Sequence, residues 1–168
     1  MHCFDDVRAI LFIVNLAGFN QVLFEDSAKN RMHEELELFE QITHNVLFSD
    51  VPILLFLNKR DLFDQLLLTG GADLRRAFPH YSGPPGDPHA ALVYVMETFR
   101  RKLPEGKTVS IHPVSARWTK DIAAAFEDVK QKLYDEQRPT LLAQANHIRA
   151  QRKKAERGGK EERGGCGC

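Results

Sequence analysis

Cysteine is scarce in this chain and poorly placed for cross-linking: of Cys3, Cys166 and Cys168, two stand in a glycine-rich end. That excludes the disulfide framework of a small secreted fold and leaves a cytoplasmic expectation. Long apolar runs are also lacking. Residues 9–16 follow Asp6 and Arg8, have no small-residue cleavage pattern behind them, and fall far short of the roughly 18 residues of a spanning helix. The protein is therefore expected to be soluble or peripherally attached. No sign of charge dominates, with 23 basic and 23 acidic residues, which excludes a uniformly basic nucleic-acid binder.

Other chemistries are missing too. The seven histidines are scattered without metal-ligand spacing, and no serine or cysteine system suggests nucleophilic catalysis. The acidic cluster Glu34, Glu35 and Glu37 reads, at helical spacing, as a solvated face. A phosphate cradle of the form G-x-x-x-x-G-K-[S/T] is absent. The near miss at Gly106-Lys107-Thr108 has Arg101 where the first glycine belongs, and lies between a helix and a following strand. That order is the reverse of the one that aims backbone N–H groups at phosphate.

What the chain does have is length and patterning for one core: 168 residues, 43% of them hydrophobic. Residues 7–16 are nearly all apolar and read as a first strand. Residues 26–46 read as a helix with Ala28, Met32, Leu36, Phe39, Ile42 and Val46 inward. Residues 51–57 form a second apolar strand, and residues 62–68 and 73–78 a less periodic region around Gly70-Gly71 that reads as a loop and a short helix. Asp87-Pro88 marks a helix start by an N-cap and a first-turn proline, and Leu92, Val95, Met96, Phe99 and Leu103 give its core face. Residues 108–114 are a third strand, and residues 119–136 a last helix with Ile122, Phe126, Val129 and Leu133 inward. Strands alternating with helices predict an α/β fold with a three-stranded parallel sheet.

The most informative stretch is residues 51–63, VPILLFLNKRDLF. A continuous apolar run suits a parallel strand buried on both faces, and Asn58, Lys59, Arg60 and Asp61 follow where its carboxyl end delivers them. A carboxylate at Asp61 accepts two hydrogen bonds at once from a ring N1–H and an exocyclic 2-amino group, an edge that guanine presents and adenine does not. Each bond to a charged acceptor is worth about 1.5–3 kcal/mol. The Lys59 stem suits a ring face, with its ammonium in water; Asn58 holds the base edge or braces the loop, and Arg60 points elsewhere. A polar strand-to-helix turn with no ligand is the plainer reading of four such residues alone.

The neighbouring residues decide between these readings. Asn58-Lys59-Arg60-Asp61 resembles the guanine-specificity motif of the regulatory GTPases, and three other stretches resemble the alpha subunits of heterotrimeric G proteins. These are His2-Cys3-Phe4, residues 17–40 with Gln21-Val22-Leu23 and Asn30-Arg31-Met32, and residues 78–84, FPHYSGP. The resemblance covers about residues 1–135. It implies a partial P-loop-GTPase-like sheet, the carboxyl-terminal half of the GTPase domain, and a guanine pocket of Asn58, Lys59, Asp61 and Ala116. Ala116, after the third strand, matches a short loop whose backbone N–H meets the guanine O6. Arg117 departs from the threonine usual in alpha subunits, so its contact with the base stays open. Trp118 is read as packing against the sheet.

The resemblance also implies GTP or GDP as ligand, with magnesium in full-length members, and beta-gamma, receptor and effector proteins as partners. The activity implied is a GTP-hydrolysing switch in receptor signalling. No glycine lies three positions after an aspartate, and the segment carrying the family's catalytic arginine and glutamine has no counterpart. Nucleotide binding is therefore expected to be weakened or lost, hydrolysis is not expected, and the chain reads as truncated. The alternative is a non-catalytic interaction module, a decoy competing for receptor or effector.

The end of the chain departs furthest. Residues 1–137 form the GTPase-like part; Arg138-Pro139 interrupts the last helix, and residues 138–157 regain helical spacing. Residues 158–168, GGKEERGGCGC, are expected to be a disordered tail. Residues 149–168 hold seven basic and three acidic residues, against 16 and 20 in the rest. Cys166 and Cys168 resemble the doubly prenylated ends of some small membrane-traffic GTPases, which would place the chain peripherally at the inner face of the plasma membrane. A short Gly-Cys end without lipid is the plainer reading.

Overall fold

The computed structural model describes residues 7–115 together with Lys120, Ala123, Phe126, Glu127, Lys130, Gln131 and Tyr134. The chain divides into two compact units, Met1–Glu127 and Asp128–Cys168. The sheet and the helices that frame it belong to the first.

Three strands, β1 (Ile10–Asn15), β2 (Ile53–Asn58) and β3 (Ser110–Pro113), form a parallel sheet in the order β1-β2-β3 among the described residues. The register sets Ile10 against Ile53 and Asn15 against Asn58, so β1 and β2 end level. The central strand is buried from Ile53 to Leu57, as its unbroken apolar run requires. Alternation sends Ile53, Leu55 and Leu57 to one face, where they meet Phe12, Val14 and Leu16 of the neighbouring strand and turn. Each fully buried Leu or Phe there contributes about 1.5–3 kcal/mol.

Helices α1 (Arg31–Thr43), α2 (Arg60–Leu68) and α3 (Pro88–Arg100) close that core. Met32, Leu36 and Phe39 are buried from α1, Phe63 and Leu67 from α2, and Ala91, Leu92, Val95 and Phe99 from α3. Phe39 stands at the centre, edge-on to both Phe12 and Phe99 with ring centroids 5.2 and 5.3 Å away. On the opposite sheet face Phe56 contacts His112 at 5.1 Å and Phe126 at 5.8 Å. Leu11 and Ile13 of β1 remain 44% and 59% exposed.

Asp87 caps α3 as its sequence promises, its Oδ1 accepting from the His89 and Ala90 N–H groups at 3.0 Å. The start of α1 differs from expectation. The helix begins at Arg31 and not at residue 26, and Asn30 is its cap: its Oδ1 accepts from Met32 N–H at 2.9 Å while its Nδ2 donates to the Phe19 carbonyl at 2.7 Å. The residues before it fold back as a loop, with Leu23 N–H on the Lys29 carbonyl and Val22 bridging Asn30. Ala28 is thus exposed, and Val46 lies beyond the helix in a 3-10 turn, 83% exposed. Most of the last predicted helix, including Ile122, Val129 and Leu133, lies outside the described residues. Among the described residues no helix is long and apolar enough to cross a membrane.

Candidate functional site

At the carboxyl edge of the sheet, β2 runs out at Asn58 and the chain must reverse into α2 within two residues. Lys59 makes that reversal in the left-handed conformation, φ 60° and ψ 38°, alone among the described non-glycine residues in having positive φ. Such a backbone costs about 1–2 kcal/mol for a residue with a Cβ, and it persists where the surroundings enforce it. Here Asn58 Oδ1 accepts from the Lys59 N–H at 2.7 Å, and the Lys59 carbonyl accepts from Phe63 N–H at 3.0 Å. Phe63 is fully buried, edge-on to Phe19 at 5.3 Å, so the turn is anchored in the core.

The turn aims its side chains unequally. Lys59 is exposed at the tip, and Asp61 lies in the first turn of α2, where the helix dipole favours a carboxylate. Arg60 pairs with Asp64 one turn on, Nε to Oδ2 at 3.5 Å, and so lies along the helix.

A second loop is tied to the first by the backbone. Val114 N–H donates to the Leu57 carbonyl at 2.9 Å, and Arg60 N–H donates to the Val114 carbonyl at 3.2 Å. The start of α2 is thereby held against the residue that leads into Ser115. Ser115 is 5% exposed, and its Oγ lacks a hydrogen-bond partner among the described residues. Asn58, Lys59 and Asp61 are thus brought to the end of β3. Ala116, Arg117, Trp118, Cys166 and Cys168 lie outside the described residues.

Sequence reasoning passed over two residues of this edge. Asn15, in register with Asn58, directs its Oδ1 to Ala17 N–H at 3.2 Å and its own N–H to Glu35 Oε1 at 3.5 Å. Glu35 does not belong to a solvated acidic face. Glu34 and Glu37 do, both pairing with Lys29, but Glu35 is half-buried and its Oε2 is enclosed without a hydrogen-bond partner among the described residues. Burial pushes its pKa up to about 7, against the pull of the Asn15 N–H and the charges of Arg31 and Lys59. Its position in the sequence carried a signal: it follows Met32 by three residues and precedes Phe39 by four, and both are buried.

Among the described residues no three His, Cys, Asp or Glu side chains gather where they could hold a metal ion.

A parallel sheet with helical connections, its second strand ending in Asn-Lys-x-Asp, defines part of a P-loop-GTPase-like α/β fold. The chain belongs to the G-protein alpha-subunit family, whose profile matches residues 1–133. It is similar to the guanine nucleotide-binding protein alpha-8 subunit of Dictyostelium discoideum, 43% identical over 84% of this chain and 35% of that protein. It is also similar to the G(o) subunit alpha of Caenorhabditis elegans, 42% identical over 77% of this chain and 36% of that protein. A third relative is the alpha-1 subunit of the same nematode, 40% identical over 67% and 31% of the two chains. The chain spans about a third of the length of these curated relatives.

Proposed function

We propose that this chain carries the guanine-recognising part of a G-protein alpha subunit and binds the base of GDP or GTP through Asn58, Lys59, Asp61 and the loop at Ala116. The observation that supports this most is the 3.2 Å bond from Arg60 N–H to the Val114 carbonyl, which holds the Asn58–Asp61 turn against the end of β3. Asp61 is the specificity residue, accepting from N1–H and the 2-amino group of guanine. The Lys59 stem covers the ring, and Asn58 braces the turn that presents both. The reading concerns base binding and not hydrolysis, because the sequence contains no Gly-rich phosphate cradle.

In this account the chain works in receptor signalling, with beta-gamma, receptor and effector proteins as partners and a cytoplasmic place that extends peripherally to the membrane. Residues 1–137 form the GTPase-like part, residues 138–157 a further helical segment and residues 158–168 the tail. Cys166 and Cys168 are lipidation candidates, for which serine replacement at both positions should reduce membrane partition. A second reading, a non-catalytic decoy for receptor or effector, draws on the exposed Leu11 and Ile13 of β1, which offer apolar surface to another protein.

Titration of fluorescent GDP into the chain and its Asp61→Ala variant tests the first reading. Loss of two bonds to a charged acceptor should weaken binding by at least about tenfold. Equal binding by both proteins would remove the guanine assignment.

A further inference from the structure

The half-buried carboxylate of Glu35 lies at the same sheet edge as the base turn, with one oxygen bonded to the Asn15 N–H and the other enclosed. Asn15 joins the two: its N–H reaches Glu35 Oε1 at 3.5 Å, a long bond, and its register partner is Asn58, the residue before Lys59. The other oxygen, Oε2, is shielded from water without a partner among the described residues. An acceptor held out of water unpaired costs about 1–3 kcal/mol, a cost that a cation brought to it would relieve. Two cations act on it, Arg31 from one turn earlier on α1 and Lys59 from the start of α2. Of these, Lys59 belongs to the base turn, is exposed, and carries a stem long enough to sweep across it.

We propose that Glu35 is a positioning residue of the base site: its carboxylate takes the Lys59 ammonium and so lays the lysine stem along the face of a bound guanine. The inference rests on the base-binding reading above and adds to it a residue outside the Asn-Lys-x-Asp turn. It also gives binding a pH dependence. Glu35 takes up a proton below about 7, the ion pair is then lost, and Lys59 is released to solvent. Affinity should rise with pH through that value, with Arg31 and the Asn15 N–H acting on the carboxylate in both states.

The test is a double-mutant cycle on the whole chain. Fluorescent GDP affinity is measured from pH 5.5 to 8.5, the range about neutrality in which a carboxylate so displaced titrates, for wild type, Glu35→Gln, Lys59→Met and the double variant. Glu35→Gln should weaken binding about fivefold at the alkaline end and abolish the pH dependence, and should cost nothing further once Lys59 is Met. An equal loss in both backgrounds, or a pH profile that Glu35→Gln leaves unchanged, overturns the proposal. A readout without nucleotide separates this failure from that of the base reading. The Glu35 carboxyl carbon, followed by NMR, should titrate at higher pH in Lys59→Met than in wild type. If it does not, the Glu35–Lys59 pairing is wrong whatever the nucleotide does. Should the NMR shift appear while GDP binding is insensitive to Asp61→Ala, the base reading fails and Glu35 loses its role in it.

Discussion

Lys59 carries two demands that pull in opposite directions. Its left-handed backbone favours glycine, whereas its proposed role needs a long aliphatic stem with a charge at the end. Lys59→Gly should therefore stabilise the fold, by about 0.5–1 kcal/mol in urea denaturation, while weakening GDP binding. A variant that loses stability would show that the lysine is held there by packing. At Asp61 the chemistry can be inverted. Asparagine supplies one acceptor and one donor, so Asp61→Asn should lose guanine and gain xanthine, whose 2-oxo group accepts where guanine's amine donates. Competition of GDP and xanthosine diphosphate against the fluorescent ligand reads this out.

Glu35 makes a separate prediction about folding. Its folded pKa, about 7, lies above the ordinary 4.5, so the folded chain holds the proton more tightly. Its contribution to stability is full below 4.5 and is lost as pH rises through 7. Allowing for solvent screening, that loss is about 1–2 kcal/mol, and Glu35→Gln should remove it. Thermal unfolding of both proteins between pH 5 and 8, which brackets the displaced value, would show two parallel curves if Glu35 were not buried.

Among the elements, the strands and α3 were legible because each carries its own signal: continuous apolar runs for the strands, Asp87-Pro88 and a trailing basic run for α3. The beginning of α1 was not. Asp26-Ser27 is as good a cap on paper as Asn30, and only the tertiary bond from Asn30 Nδ2 to the Phe19 carbonyl settles which is used. Asn30→Ala should thus cost more than Asp87→Ala, about 2 kcal/mol against about 1 kcal/mol, because it removes that bond as well as a cap. Urea midpoints of the two variants compare them directly. The start of α2 was legible only as a strand-to-helix turn leading to a loop and a short helix, for a related reason. It has no side-chain cap, and its first residues are held by Val114, a neighbour brought in from more than fifty positions away by the β2–β3 pairing. The Asn58–Asp61 turn was visible as a motif, whereas Glu35 stood among like charges and only its spacing from Met32 and Phe39 marked it as inward-facing.

For the molecule as a whole, one face of β1 is left uncovered among the described residues. Leu11 and Ile13 are exposed beside Leu54 and Phe56, which are buried, and β1 is the outer strand among the described residues. An apolar strand at an edge is a template for another chain. The isolated 168-residue chain should self-associate as its concentration rises, and Ile13→Lys should suppress this in sedimentation experiments. A chain that stays monomeric and unfolds cooperatively at high concentration would contradict that expectation. Nucleotide measurements accordingly belong at low protein concentration. The most direct of them is the ratio of GDP to ADP affinity for the unmodified chain. Both ligands carry the same ribose and phosphates, so the ratio isolates the base edge facing Asp61. A preference for GDP of at least about 100-fold is predicted from two charge-assisted bonds. Equal affinities would mean that the Asn58–Asp61 turn does not read guanine.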